Sequence, residues 1–173
     1  VFSDCEVTME LMARSKEKLP KMLNFLASRP YTLVHGDFHS KQMFFPTDKG
    51  GQFSVIDWQF PFVAQGAWDF ARLLNVCGST PFRQAQEKSL LADYLAGLIG
   101  HGIENYTMDD LEKDYQIGLI ISHMINTIAV GSTDISIVAN ECAALGMDWQ
   151  DLLFYRTQRS IIDWQVLQLL DDL

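Results

Sequence analysis

The sequence is poor in cysteine and has no long apolar run. Its three cysteines, Cys5, Cys77 and Cys142, are widely spaced and form no Cys-x-x-Cys pair, so neither a disulfide framework nor a zinc cluster is predicted. We expect three reduced, buried thiols. No apolar segment is long enough to span a bilayer, and no signal peptide is recognisable. Together these absences predict a cytoplasmic protein with no membrane partner.

Basic residues are also scarce. The 173 residues include 13 Lys and Arg against 22 Asp and Glu, which gives a formal net charge of −9. Proteins that bind the phosphate backbone of nucleic acids need a basic face, and here the basic residues are scattered, so no nucleic-acid partner is expected. An acidic surface suits a cationic substrate or magnesium, and it equally suits simple solubility.

The residues that are present indicate a compact, mostly helical chain. Hydrophobic residues make up 48% of the sequence and charged residues 20%, which is ordinary for one globular domain or one lobe of a larger one. From Val7 to Ala27 the apolar spacing is helical, and Pro20 is expected to divide this segment into two short helices. Five further helices are predicted at 67–76, 82–99, 108–130, 134–145 and 149–170.

Strands are predicted only between these helical regions. Residues 31–34 indicate a short buried strand. Residues 43–45 and 53–57 indicate a β-hairpin, with Gly50 and Gly51 in its turn. The predicted fold class is therefore α+β, mostly helical, with one small hairpin. A hairpin brings the loop before its first strand close to the end of its second, so residues 35–42 are expected near Asp57.

The loop and the hairpin together carry a pattern suited to phosphoryl transfer. The loop reads His-Gly-Asp-Phe-His-Ser-Lys-Gln from residue 35 to 42, and Asp57 ends the apolar strand. Phosphoryl transfer depends on positioning and on charge neutralisation: one carboxylate orients the attacking hydroxyl, and oxygen ligands hold magnesium on the phosphates. Asp37, Asp57 and Gln42 supply these groups.

This pattern resembles the aminoglycoside phosphotransferase and choline kinase-like superfamily. Its motif reads His-Gly-Asp-x-His-x-x-Asn, followed by a strand that ends in Ile-Asp-Trp or Ile-Asp-Phe, and every position agrees here except that Gln42 replaces Asn. The resemblance implies the C-terminal lobe of a protein-kinase-like fold. It also implies that Asp37 is the catalytic base, that Asp57 and Gln42 bind Mg²⁺, and that ATP or another nucleoside triphosphate is the phosphate donor.

The resemblance further implies a scaffold around Asp37. His35 and His39 would hold the loop, although zinc binding by the two histidines is an alternative. Gly36 stands where protein kinases carry an arginine that responds to a phosphorylated activation loop, which favours a small-molecule acceptor. The acidic surface suits a cationic one. Asp69 would brace the loop, or it would be an ordinary acidic residue in the first turn of a helix. A second Ile-Asp-Trp-Gln at 162–165 is interpreted as coincidence within a helix.

The chain has no counterpart of the N-terminal lobe that this superfamily uses to cover ATP. No glycine occurs between Val1 and Pro30, so no glycine-rich loop is present. We therefore divide the chain into three parts: N-terminal helices (1–30), the catalytic loop and metal-binding hairpin (31–60), and a helical, substrate-binding region (61–173). The missing N-terminal lobe is an expected partner. Three hypotheses remain open: the catalytic lobe of a small-molecule kinase, a catalytically degenerate kinase-like binding or regulatory module, and an unrelated metal-dependent hydrolase.

The 173 residues alone should bind nucleotide weakly and turn over poorly, because the residues that would cover the phosphates are absent. The measurement is ATP-dependent phosphorylation by the isolated chain. Robust turnover would refute this prediction.

Overall fold

The computed structural model describes residues 5–173, which form α-helices of 7 to 25 residues and short antiparallel strands. Each of the two sheets contains two strands. The α+β, mostly helical prediction is confirmed at this level. The elements in chain order are α1 (Glu6–Ala27), β1 (Thr32–Val34), β2 (Met43–Phe44), β3 (Ser54–Val55), β4 (Phe62–Ala64), α2 (Ala67–Cys77), α3 (Thr80–Gly100), α4 (Met108–Ser132), α5 (Ile135–Ala144), a π-helical turn (Asp151–Tyr155), α6 (Arg156–Asp163) and α7 (Val166–Asp172).

The predicted hairpin forms, and a second strand pair lies beside it. Strands β2 and β3 are antiparallel, with Met43 opposite Val55. Strand β1 pairs with β4, a strand that the sequence did not indicate, with Leu33 opposite Val63. The boundary predicted at residue 60 therefore falls between the two strands of one ladder. These pairings fix both ends of the segment that contains the His-Gly-Asp loop. The prediction of a buried strand over 31–34 is wrong, because only Val34 is buried and Leu33 faces solvent.

Helix α1 corrects the first helical prediction. It is one continuous helix that contains Pro20, not two helices separated by it. Proline lacks the N–H that would bond to the carbonyl of Lys16 one turn earlier. Both residues are exposed, so water can satisfy that carbonyl and the helix continues. The buried residues Leu11 and Met22 hold the two halves against the core.

The C-terminal segment corrects the last helical prediction. The single helix expected over 149–170 is divided into the π-helical turn, α6 and α7. Gln165 has a left-handed backbone with φ of 48°, which ends α6 and redirects the chain. The second Ile-Asp-Trp-Gln sequence spans this break. Its Asp163 pairs with Arg83 and with Arg159, and Trp164 packs against Tyr115 at 5.0 Å between ring centroids.

The core lies among the helices, and a glycine of α4 packs directly against α2. A Cβ atom at Gly118 of α4 would lie 2.8 Å from the Cβ of Ala71 and 3.1 Å from the carbonyl oxygen of Ala67. The small residues on both helices permit this distance. The buried residues around the contact include Leu74, Leu111, Tyr115, Leu119 and Ile161.

Buried polar side chains connect the helices across this core. His123 of α4 is fully buried and lies 2.9 Å from the Thr8 hydroxyl of α1 and 2.6 Å from the Thr157 hydroxyl of α6. Burial lowers the pKa of His123 to about 4, so its ring is neutral at physiological pH. The ring therefore acts as a structural link between three helices.

The cysteine prediction is only partly correct. All three thiols are free, but Cys142 alone is buried, whereas Cys5 is half-buried and Cys77 is exposed. The sulfur of Cys77 accepts a hydrogen bond from the backbone N–H of Ser40 at 3.1 Å, which draws it to the surface beside the loop. None of the helices in the described range combines the length and apolarity needed to cross a bilayer.

Replacing Gly118 with alanine should destabilise the protein, because the added methyl overlaps with α2. Overpacking of this kind costs about 1–3 kcal/mol, which exceeds the gain in helix propensity of about 1 kcal/mol. The matched control is Gly131→Ala in the same helix, where a Cβ meets nothing within 4 Å. Urea unfolding should give a lower midpoint for Gly118→Ala and an equal or higher one for Gly131→Ala. Equal midpoints for the two variants would contradict the close α2–α4 contact.

Candidate active site

The His-Gly-Asp loop is held to the start of α2 by one carboxylate. Asp69 accepts hydrogen bonds from the backbone N–H of His35 at 2.6 Å and of Gly36 at 3.0 Å. Burial raises the pKa of Asp69, and the two N–H bonds oppose that rise. Asp69 also lies in the first turn of α2, so the bracing role and the helix-end role coexist.

Gly36 has no room for a side chain. Its φ is 88°, and a Cβ would lie 2.4 Å from the carbonyl oxygen of Phe60 and 2.9 Å from the ring of Phe62. Only glycine meets both conditions without strain. The close approach lets the loop turn back directly after β1 and places Asp37 beyond the turn.

His35 ties the loop to the strand that leads to Asp57. Its ring is buried, and Nε2 donates to the carbonyl oxygen of Ile56 at 2.8 Å. The indole ring of Trp58 packs on the imidazole with 4.8 Å between centroids. His35 thus connects the loop to the end of the second hairpin strand. Within residues 5–173, no group of three or more His, Cys, Asp and Glu side chains is placed to hold a metal ion.

Asp37 is flanked by two nitrogen-bearing side chains. His39 Nε2 lies 3.5 Å from Asp37 Oδ2, and Arg72 Nε donates to Asp37 Oδ1 at 3.0 Å. The hydrogen bond with His39 and the charge of Arg72 outweigh partial burial and lower the pKa of Asp37 to about 2. The carboxylate is therefore ionised at neutral pH and fixed in orientation.

Gln42 and Asp57 form the second half of the site. Gln42 Nε2 donates to Asp57 Oδ2 at 2.9 Å, and the backbone N–H of Ile56 donates to the carbonyl oxygen of Gln42 at 3.0 Å. Gln42 is buried, and its Oε1 has no hydrogen-bond partner among the described residues. Asp57 is exposed and has a left-handed backbone with φ of 67°, which aspartate tolerates better than most residues.

Sequence reasoning missed Arg72. It is a nearly buried arginine of α2, and its Nη1 donates to Oδ1 of Asn126 on α4. The usable signal was a charged residue one turn after Asp69 on an otherwise apolar helix face. Its partners, 35 and 54 positions away in the chain, had no such signal.

A cavity of about 230 Å³ lies against this loop. His39 and Arg72, the two residues in contact with Asp37, form part of its wall. The other lining residues are Ser40, Lys41, Val76, Cys77, Met147, Leu152, Leu153 and Arg156. The lining thus combines an apolar wall with basic side chains and contains no carboxylate.

Comparison with known proteins identifies a family. The family model DUF1679, described as "Uncharacterized oxidoreductase dhs-27", matches residues 6–134, which is more than half of the chain. The chain belongs to this family. The matched range of DUF1679 contains every candidate residue from His35 to Asn126. No curated protein and no solved structure gives a significant match.

Replacing Asp69 with asparagine should loosen the loop, because a neutral amide cannot accept two N–H bonds as the carboxylate does. Hydrogen bonds to charged groups contribute about 1.5–3 kcal/mol, so amide exchange at His35 and Gly36 should accelerate about ten- to a hundred-fold. Asp109→Asn is the control, since Asp109 is also an acidic residue in the first turn of a helix. Hydrogen exchange followed by NMR gives the answer. Equal effects of the two variants would mean that Asp69 stabilises only the first turn of α2 and does not hold the loop.

Proposed function

We propose that this chain is the catalytic lobe of an ATP-dependent phosphotransferase, similar to the aminoglycoside phosphotransferases and choline kinases, that acts on a hydroxyl of a small molecule. The observation that carries the proposal is the connection between two carboxylate sites. The loop with Asp37 and the strand end with Asp57 are joined by the His35–Ile56 and Gln42–Asp57 hydrogen bonds. Phosphoryl transfer needs these two roles side by side.

The residues around Asp57 fit a magnesium ion. Mg²⁺ prefers oxygen ligands and is commonly held by one or two carboxylates together with substrate phosphates and water. Asp57 offers an exposed carboxylate, and Gln42 offers an amide oxygen that has no partner among the described residues. Because the Gln42 amide nitrogen faces Asp57, the amide would have to turn end for end before Asp57 and Gln42 could hold the ion together. The bound ion would then neutralise charge on the phosphates of the nucleotide.

Asp37 supplies the other half of the chemistry. The acceptor oxygen forms a bond to the γ-phosphorus, the bond from that phosphorus to the bridging oxygen breaks, and the hydroxyl proton passes to the Asp37 carboxylate. Because the pKa of Asp37 is about 2, the carboxylate is ready to accept a hydrogen bond at any physiological pH. Its low basicity suits a loose transition state, in which orientation of the hydroxyl matters more than early proton removal.

The cavity beside Asp37 is the proposed seat of the acceptor. Its apolar wall of Val76, Met147, Leu152 and Leu153 suits a hydrocarbon skeleton. Two of its basic residues are paired, Arg72 with Asp37 and Arg156 with Asp151, so the charge of Lys41 is the one that disfavours a cationic acceptor. A cationic acceptor was expected only from the acidic surface as a whole, and some acidic residues of that surface are already paired. Asp110 bonds to Arg29 and to Thr107, and Asp109 bonds to Lys113. We therefore propose a neutral or anionic alcohol with an apolar body.

The strand region offers a surface for an N-terminal lobe. Residues 31–63 hold nine of the nineteen large hydrophobic side chains that are exposed in the described part of the chain. The exposed Leu33 and Val63 are directly opposite each other on β1 and β4, and the rings of Phe45 and Phe53 contact each other at a tilt, with 5.1 Å between centroids. A concentration of exposed apolar residues marks an interaction surface. In the proposed enzyme, this surface contacts the lobe that covers ATP.

The word "oxidoreductase" in the family description suggests a different chemistry. A dinucleotide cofactor is typically bound at the edge of a parallel sheet, by a glycine-rich turn between a strand and a helix. Residues 5–173 contain only antiparallel two-stranded sheets. Phosphoryl transfer therefore has the better support in this part of the chain.

A catalytically degenerate binding module is the second candidate. It is favoured by the orientation of Gln42, whose amide nitrogen, and not its oxygen, faces Asp57. In this case the hydrogen bond would replace the metal ion permanently. Magnesium titration followed through the side-chain NH₂ signals of Gln42 separates the two candidates: the enzyme predicts that these signals move on binding, and the module predicts that they do not.

Replacing Asp37 with asparagine in the full-length protein should lower phosphate transfer about 10²- to 10⁴-fold, because proton acceptance is lost while the shape is kept. Asp57→Asn should lower both activity and its dependence on Mg²⁺. Asp48→Asn is the control, since Asp48 is an exposed carboxylate in the connection of the same hairpin. The measurement is transfer from γ-labelled ATP to neutral, anionic and cationic alcohols. Near-normal turnover by Asp37→Asn would disprove the mechanism.

A further inference from the structure

Asp37 is part of a chain of hydrogen bonds that extends well beyond the loop. Arg72 donates to it at 3.0 Å and is only 8% exposed. An arginine presents several donors in a rigid planar fork, so one guanidinium can fix a carboxylate and bind a second acceptor at the same time. That second acceptor is Asn126, which is 1% exposed.

Asn126 uses both ends of its amide. Oδ1 accepts from Arg72, and Nδ2 donates to the backbone carbonyl oxygen of Leu153 at 2.9 Å. Arg72 can only donate and a carbonyl can only accept, so the two contacts determine which end of the amide is oxygen. The side chain of Asn126 has one orientation that satisfies both partners.

The far end of this chain lies in the cavity wall. Leu153 belongs to the π-helical turn of residues 151–155, and Leu152 and Leu153 line the cavity with His39 and Arg72. Short π-helical turns occur frequently at functional sites. The wall that would touch the acceptor is therefore connected to the carboxylate that would receive its proton.

We propose that Arg72 and Asn126 are positioning residues, which together hold the Asp37 carboxylate at a fixed position and angle relative to the acceptor cavity. This inference rests on the phosphotransferase function proposed above. Asn75 provides the comparison: it is a fully buried polar residue on the same helix α2, but it bonds to Ser160 of α6 and has no described contact with the loop. A purely structural role would make Arg72 and Asn75 equivalent.

The first test is the titration of Asp37, followed through its carboxyl ¹³C signal. In the wild-type protein the signal should stay constant from pH 7 down to about pH 3, because the pKa is about 2. In Arg72→Gln the neighbouring charge is removed while the hydrogen bond with His39, the larger cause of the low pKa, remains. The pKa should therefore rise part of the way toward the ordinary value for aspartate, about 3.9. Asn75→Ala should leave the titration unchanged. An unchanged Asp37 titration in Arg72→Gln would overturn the proposal.

The second test is kinetic and uses the full-length protein. Arg72→Lys keeps the charge without the fork, and Asn126→Leu keeps the volume without the hydrogen bonds. Each should lower kcat about ten- to a hundred-fold with little change in the KM of the acceptor, since misplacing a reacting group by about 1 Å has effects of this size. Arg72→Lys should retain most of the depression of the Asp37 pKa while losing kcat, which separates position from charge.

The outcomes distinguish this inference from the proposed function. If the wild-type protein transfers phosphate and both Arg72→Lys and Asn126→Leu match Asn75→Ala in kcat, the hydrogen bonds of Arg72 and Asn126 contribute only to packing. The inference is then wrong. If the wild-type protein transfers no phosphate to any alcohol, the proposed function is wrong and this inference falls with it. Should Arg72→Gln fail to fold, Arg72→Lys and Asn126→Leu, which change less, decide the question.

Discussion

The candidate site depends on the Asp69 carboxylate, which binds the backbone of His35 and Gly36. These bonds attach an irregular loop to the first turn of a long helix. Loops seldom hold a side chain precisely unless their own backbone groups are satisfied by a rigid element. One turn further along α2, Arg72 reaches Asp37. Two residues on one helix face thus fix both the backbone and the side chain of the loop.

The position of Asp37 therefore depends on how the helices pack against each other. Helix α2 is itself set by its close contact with α4 at Gly118. Asn126 lies two turns further along α4 and binds Arg72. A shift of α4 along α2 would therefore disturb the Arg72 fork directly. The small residues at the helix contact consequently matter for the geometry of Asp37, although they lie outside the site.

The sequence predicted the local parts of this structure well. The His-Gly-Asp loop, the hairpin and most helix positions follow from turn residues, β-branched runs and apolar spacing, all of which act over a few residues. The missed features depend on distant partners. Strand β4 forms because it pairs with β1, which is distant in the sequence. The helix break at Gln165 is not marked by a glycine or a proline. Pro20 was misread because its effect depends on which side of the helix faces water.

The same distinction explains why the sequence pattern singled out Asp37 and His39 but not Arg72 and Asn126. A motif records which residue types the chemistry needs, and Asp37 stands inside a dense one. Arg72 and Asn126 are needed only because the carboxylate must be held at one angle in a partly buried place, and any helix that passes nearby can supply them. The best sequence signal for such residues is thus a polar residue on an apolar helix face that no neighbouring residue in the sequence explains. Under the proposed function, their contribution is to hold a weakly basic carboxylate in the single orientation that lets it guide the acceptor hydroxyl.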